Sequence, residues 1–93
     1  MGGDWKEMLS AAEKGDLELL KFHIRMGIDP NYQHPEVLTT PLIEAARYGH
    51  LEIVKFLLEN GADPKIESMW GKETALSVAK AHRHRDIIKV LKA

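Results

Sequence analysis

Residues 40–64 set apolar and polar positions at helical spacing. Leu51, Val54, Leu57 and Leu58 recur at i, i+3, i+6 and i+7, which puts them on one side of a helix. Just before this run, Thr40 is suited to cap a first helix and Pro41 to occupy its first position, where a missing N–H is harmless. Gly49 can close that first helix in the left-handed conformation. Gly61 closes the second helix, and Asp63-Pro64 forbids its continuation. The stretch therefore predicts a helix, a turn, a second helix and a stop. Two helices this short cannot bury their apolar sides alone, so the unit requires neighbours.

The neighbours are in the sequence, 34 positions away on either side. Ala45, Ala46, Gly49, Leu51, Glu52, Lys55, Phe56, Gly61, Asp63 and Pro64 fall on Ala11, Ala12, Gly15, Leu17, Glu18, Lys21, Phe22, Gly27, Asp29 and Pro30. In the other direction, Thr40, Leu42, Ala45, His50, Ile53, Lys55 and Leu57 fall on Thr74, Leu76, Ala79, His84, Ile87, Lys89 and Leu91. A fixed period without gaps signals a stacked solenoid. In the first unit Asp4 caps a helix whose face is Trp5, Met8, Leu9 and Ala12, and Trp5 is expected to cover the end of the stack. Its partner runs from about Leu17 to Met26, with Leu17, Leu20 and Ile24 inward. The third unit opens on Thr74 and ends with a helix from about Arg85 to Lys92, with Ile87, Ile88 and Leu91 inward. Arg83 replaces the expected glycine there, and holding it in the left-handed conformation costs about 1–2 kcal/mol. Residues 1–3 are expected to be disordered.

The Thr40-Pro41-Leu42 start, the Ala45-Ala46 pair, the Gly49-His50-Leu51-Glu52-Ile53-Val54 run and the Gly61-Ala62-Asp63 end resemble ankyrin repeats. The resemblance covers three repeats, at about 4–36, 37–70 and 71–93, within a single domain spanning 1–93. It implies an all-α solenoid of helix-turn-helix repeats joined by short β-turn hairpin connectors, and a binding scaffold more than an enzyme. Pro35 removes a backbone donor from the first connector, so that hairpin is expected to be loose, with His34 a solvated turn residue. Ile43 stands where the family usually places a histidine, which trades a hydrogen-bond network for apolar packing. His84 falls on the family's Gly-His position, where the ring packs at the inter-helix turn.

Composition narrows the chemistry. The 93 residues are 44% hydrophobic and 29% charged, with a net charge of −1 and no cysteine. Disulfides, thiol catalysis and cysteine-ligated zinc are excluded on that count. The charge is uneven: residues 80–93 carry Lys80, Arg83, Arg85, Lys89 and Lys92 against Asp86. A basic segment of that size would bind nucleic acid only weakly and with strong salt dependence. Met1 to Lys14 lacks the apolar core of a signal peptide, and Lys6 stands where a myristoylation motif needs Ser or Thr, so a cytoplasmic location is expected. No apolar run approaches transmembrane length. There is no glycine-rich phosphate loop, Gly-x-Ser-x-Gly elbow or His-Glu-x-x-His helix. His82 and His84 are spaced i, i+2 across a turn with no carboxylate placed to complete a shell, so no metal, cofactor or catalytic residue is assigned. The Glu18/Lys21 and Glu52/Lys55 pairs are read as a solvated face.

The resemblance places a binding face on the connector tips and the exposed positions of the first helices. Those positions give Leu38, Arg47, Tyr48, Met69 and Trp70, with Lys72 on a charged rim. Trp, Tyr and Arg at the centre with charge around them is the composition of interface hot spots. Trp70 has a second reading, as an anchor folded back over the helix tops. The sequence thus describes a non-catalytic protein-protein interaction module, monomeric on its own. It would bind a partner protein on its concave face as an inhibitor, an immunity-type partner or an adaptor. The alternatives are a structural or engineered repeat scaffold without a natural ligand and a weak nucleic-acid binder.

Overall fold

Three helix pairs follow one another along the chain. They are α1 (Trp5–Lys14) with α2 (Leu17–Arg25), α3 (Pro41–Tyr48) with α4 (Leu51–Glu59), and α5 (Ala75–Ala81) with α6 (Arg85–Lys92). The computed structural model describes residues 4–93, and the expectations for residues 1–3 lie outside them. No strand occurs among the described residues. Four of the six helix starts are capped by side chains, those of α4 and α6 being the exceptions: Asp4 accepts from Lys6 N, Asp16 from Leu19 N, and Thr40 from Ile43 N. Thr74 and Ser77 cap α5 reciprocally.

The first helices α1, α3 and α5 form one layer and the second helices α2, α4 and α6 the other, in a body of 37 × 25 × 20 Å. The first helices approach one another more closely, because Ala11, Ala12, Ala45, Ala46, Ala75 and Ala79 are all buried and leave no bulk between backbones. The core between the layers is Met8, Leu20, Leu42, Ile43, Ile53, Val54, Leu57 and Ile87. Ile43 is fully buried, so the apolar exchange at the family's histidine position does pack. Two details differ from the sequence reading. On α4 the buried residues are Ile53, Val54 and Leu57, while Leu51 and Leu58 pack only partly, because contact with both neighbouring repeats rotates the helix toward Ile53. On α2, His23 is buried beside Leu20: its Nδ1 accepts from Asp4 N at 3.0 Å and its Nε2–H donates to Glu7 at 2.7 Å, so all its polar atoms are paired.

A histidine joins each repeat to the one before. His50 Nε2–H donates to Glu13 O and His84 Nε2–H to Arg47 O, both at 2.9 Å. Each ring lies on a glycine. A Cβ added to Gly15 or Gly49 would come within 2.7 or 2.8 Å of the imidazole. Both glycines also have positive φ, so these two positions demand glycine twice over. His84 therefore has the structural place expected of it.

At the corresponding place in the last repeat, Arg83 has a φ of 59°, so the left-handed conformation is realised without glycine. Replacing it, Arg83→Gly, should raise stability by about 0.5–1 kcal/mol in urea unfolding. A loss of stability would show that the arginine side chain contributes packing or pairing that outweighs the strain.

The connectors lie side by side, as loops and not as a ladder. Asn31 Nδ2 donates to Gly61 O, Asp63 N to Asn31 Oδ1, Gln33 Nε2 to Glu67 O, and Met69 N to Leu38 O. His34 is a correction: its ring stacks on Trp5 at 4.2 Å between centroids, with Tyr32 edge-on to the indole at 5.8 Å. An indole at the end of the stack has apolar area to cover, and the connector covers it, so His34 is not a solvated turn residue.

Candidate functional site

Three hydrogen-bond systems shape the space between the connectors and the first helices. The first begins on α3. Glu44 is almost fully buried, with 8% of its side chain exposed, yet it carries a carboxylate. That carboxylate accepts from Thr39 Oγ1 at 2.7 Å and from Arg47 Nε at 3.1 Å. The second is a fork from Arg47 to the second connector: its two terminal nitrogens donate to the two oxygens of Glu73, at 3.1 and 2.6 Å. Paired N–H donors on a carboxylate are the strong form of this contact. The third is the base of the second tip. Ser68 is buried and its N donates to Glu73 O at 2.7 Å, Glu73 N donates to Ser68 Oγ at 3.0 Å, and Ser68 Oγ donates to Trp70 O at 2.5 Å. Gly71 and Lys72 then turn the chain with consecutive positive φ.

Charge follows from this geometry. The hydrogen bonds from Arg47 hold the Glu73 carboxyl below the usual carboxylate range, and the same bonds hold the guanidinium above its ordinary value. Glu13, on the last turn of α1, moves the other way. Its partial withdrawal from water, followed by the nearby Glu44 charge, pushes its carboxyl up. Among the described residues Glu13 takes part in no ion pair, whereas Glu44 and Glu73 share Arg47.

The result is a groove of about 370 Å³ with Leu9, Val37 and Trp70 on its walls and Glu13, Glu44, Arg47 and Glu73 on its floor. Of the six residues singled out in the sequence, two line this groove. Trp70 stands on its wall with 68% exposure, and Arg47 lies in its floor with its donors already engaged. Leu38 and Met69 are brought together at the tips by the Met69 N–Leu38 O bond, with Met69 62% exposed and Leu38 half-buried. Leu38 and Lys72, one period apart, both have positive φ and shape the two tips alike. Lys72 is exposed on the turn. Tyr48, 55% exposed, ends α3 outside the groove lining. Sequence reasoning missed Glu44 and Glu73 as site groups. The available signal was the Glu44/Arg47 pair at i, i+3 on α3, where the other two first helices carry Ser10 and Val78 at the place of Glu44.

Among the described residues no group of three His, Cys, Asp or Glu is arranged to hold a metal ion, and no helix is long and apolar enough to cross a membrane. On the opposite side, Glu18–Lys21 and Glu52–Lys55 form i, i+3 pairs at 3.7 and 3.9 Å, a solvated face worth little energetically.

Stacked helix pairs, paired alanines, histidine-on-glycine contacts and tip connectors define an ankyrin solenoid. The sequence matches ankyrin repeats, in three copies, over residues 8–93, and the chain belongs to that family. Ankyrin repeats generally serve as protein–protein interaction modules and are generally non-catalytic. No match was found among curated proteins.

Proposed function

We propose that the chain, as a monomer, binds a partner protein on the face formed by the connector tips and first helices, and catalyses no reaction. Trp70 carries this reading. A large apolar ring is held in water at a groove wall, while the residues beneath it are fixed by Ser68, Glu73 and Arg47. Little ordering remains to be done when such a tip meets its partner, which favours affinity. Met69, Leu38, Tyr48 and Lys72 extend the face around it, and Arg47 supports it from the floor. An inhibitor, an immunity-type partner or an adaptor would each work this way, by occupying a surface.

The test is capture of a partner from source lysate, followed by titration of wild type and three variants. Trp70→Ala and Tyr48→Ala should each weaken binding about thirtyfold, which corresponds to about 2 kcal/mol. Because Trp70 is so exposed, Trp70→Ala should lower folding stability by less than about 1 kcal/mol. Lys55→Ala, on the opposite side, should bind within error. If Lys55→Ala weakens binding and the aromatic variants do not, the wrong face has been chosen. If Trp70→Ala unfolds the chain, Trp70 is an anchor of its own tip.

A further inference from the structure

We infer that the groove takes a single lysine or arginine side chain from the partner, with its aliphatic stem along Trp70 and its cation at Glu13. This rests on the binding face proposed above and adds the chemistry of what enters it.

The walls and floor ask for different things. Leu9, Val37 and Trp70 offer apolar surface to a long stem. The floor holds three carboxylates, Glu13, Glu44 and Glu73, against one guanidinium. Arg47 spends its donors on Glu44 and Glu73, with contacts of 2.6 to 3.3 Å. Glu13 is left over. It is exposed and makes no ion pair among the described residues, and its partial withdrawal from water, followed by the nearby Glu44 charge, raises its pKa against the opposing charges of Lys14 and Arg47. A concave surface with excess charge of one sign concentrates the opposite sign.

Other occupants fit less well. A carboxylate or phosphate would meet Glu13 and Glu44 and be repelled. A purely apolar side chain would shield Glu13 from water and give it nothing in return. A lysine or arginine satisfies both parts, since its methylenes lie on apolar surface while its head stays with the charge. The exposed Trp70 ring adds an attraction for the same cation. The chain's own charge distribution agrees. The groove residues all fall within 9–73, whereas the excess of cations lies in residues 80–93. A basic partner segment is therefore drawn to the first two repeats and pushed away from the third.

The probe is a random dodecapeptide display library selected against the wild-type chain, with enriched peptides synthesised and titrated by fluorescence anisotropy. Enriched peptides should share one lysine or arginine beside an apolar residue. Replacing that residue by norleucine should weaken binding about tenfold. Glu13→Gln should weaken the basic peptide about tenfold and leave the norleucine peptide unchanged, so that the two changes are coupled. The norleucine exchange needs no protein variant, so the result stands whether or not Glu13→Gln folds as wild type does. Enriched peptides that lose affinity with Trp70→Ala but carry no shared cation would overturn this inference and leave the binding face intact. Equal loss for both peptides with Glu13→Gln would do the same. Enriched peptides indifferent to Trp70→Ala, or no enrichment at all, would overturn both.

Discussion

Arg47→Ala should destabilise the chain by about 3 kcal/mol in urea unfolding, a large effect for a residue predicted from sequence to face a partner. Removing one member of a buried charged network costs more than its contacts contribute, because the remaining charge is stranded. Here that charge is Glu44, with 8% side-chain exposure and only Thr39 left as a donor. Glu73 loses its fork as well, and with it the tie between α3 and the second tip. Backbone amides of Ser68 and Glu73 should then exchange faster with solvent in the variant, while those of α1 follow global stability alone. A loss below about 1 kcal/mol would mean that Glu44 finds water when Arg47 is removed. The pH dependence gives an independent check through Glu73→Gln. Glu73 has a folded pKa below its unfolded value, so its contribution is complete above the ordinary carboxylate range and is lost as pH falls through the folded pKa. Because Glu73 is about one-third exposed and its pair is screened by water, the gap between wild type and Glu73→Gln should be below about 1 kcal/mol near neutrality and should narrow as pH falls through the folded pKa. A gap that stays constant across that range would show that the Glu73 charge is not what stabilises the tip.

Leu57→Ala should cost about 3–4 kcal/mol and melt the whole chain together. Leu57 is fully buried on α4, in the one repeat that has a neighbour on both sides, and emptying such a site loses both transfer energy and packing. Nearest-neighbour coupling in a short stack leaves neither end repeat stable alone. Trp5 and Trp70 serve as reporters of the first repeat and the second connector. With Trp5→Phe and Trp70→Phe as backgrounds, the two fluorescence curves and the circular dichroism curve should coincide in the Leu57→Ala protein. Separate midpoints would show that the repeats unfold independently.

The parts of this architecture that were legible in the sequence are the ones that depend on neighbours along the chain. Thr40-Pro41, Gly49 and Gly61 bound helices because capping acts within a few residues. Arg83 was readable as left-handed because period 34 aligns it with Gly49. The rest depends on pairs that meet only after folding. Glu73 reaches Arg47 across 26 positions, His23 reaches Asp4 across 19, and no local pattern marks either pair. His34 looked like a turn residue because its stacking partner, Trp5, belongs to a different element. Leu51 and Ile53 lie on different sides of α4, flanking Val54, and only contact with both neighbours decides which of the two is buried. Hence the connector tips and an exposed aromatic at Trp70 were legible in the sequence, and the carboxylates gathered beneath them were not.

Histidine-on-glycine seating also bears on how this solenoid could lengthen by tandem duplication. A repeat is admitted when its histidine lies flat on the glycine of its predecessor, as His84 does on Gly49. In the third repeat that seat is Arg83, whose backbone has the right twist but whose Cβ occupies the space. By the geometry at Gly49, a Cβ there would stand 2.8 Å from an incoming ring, closer than atoms tolerate. A following repeat built like the third would therefore meet a Cβ at Arg83 where Gly49 has none, and its histidine would have to shift from the place His84 takes. Arg83→Gly would remove that Cβ, so the exchange expected to relieve backbone strain is also the one that would seat a following histidine as Gly49 seats His84.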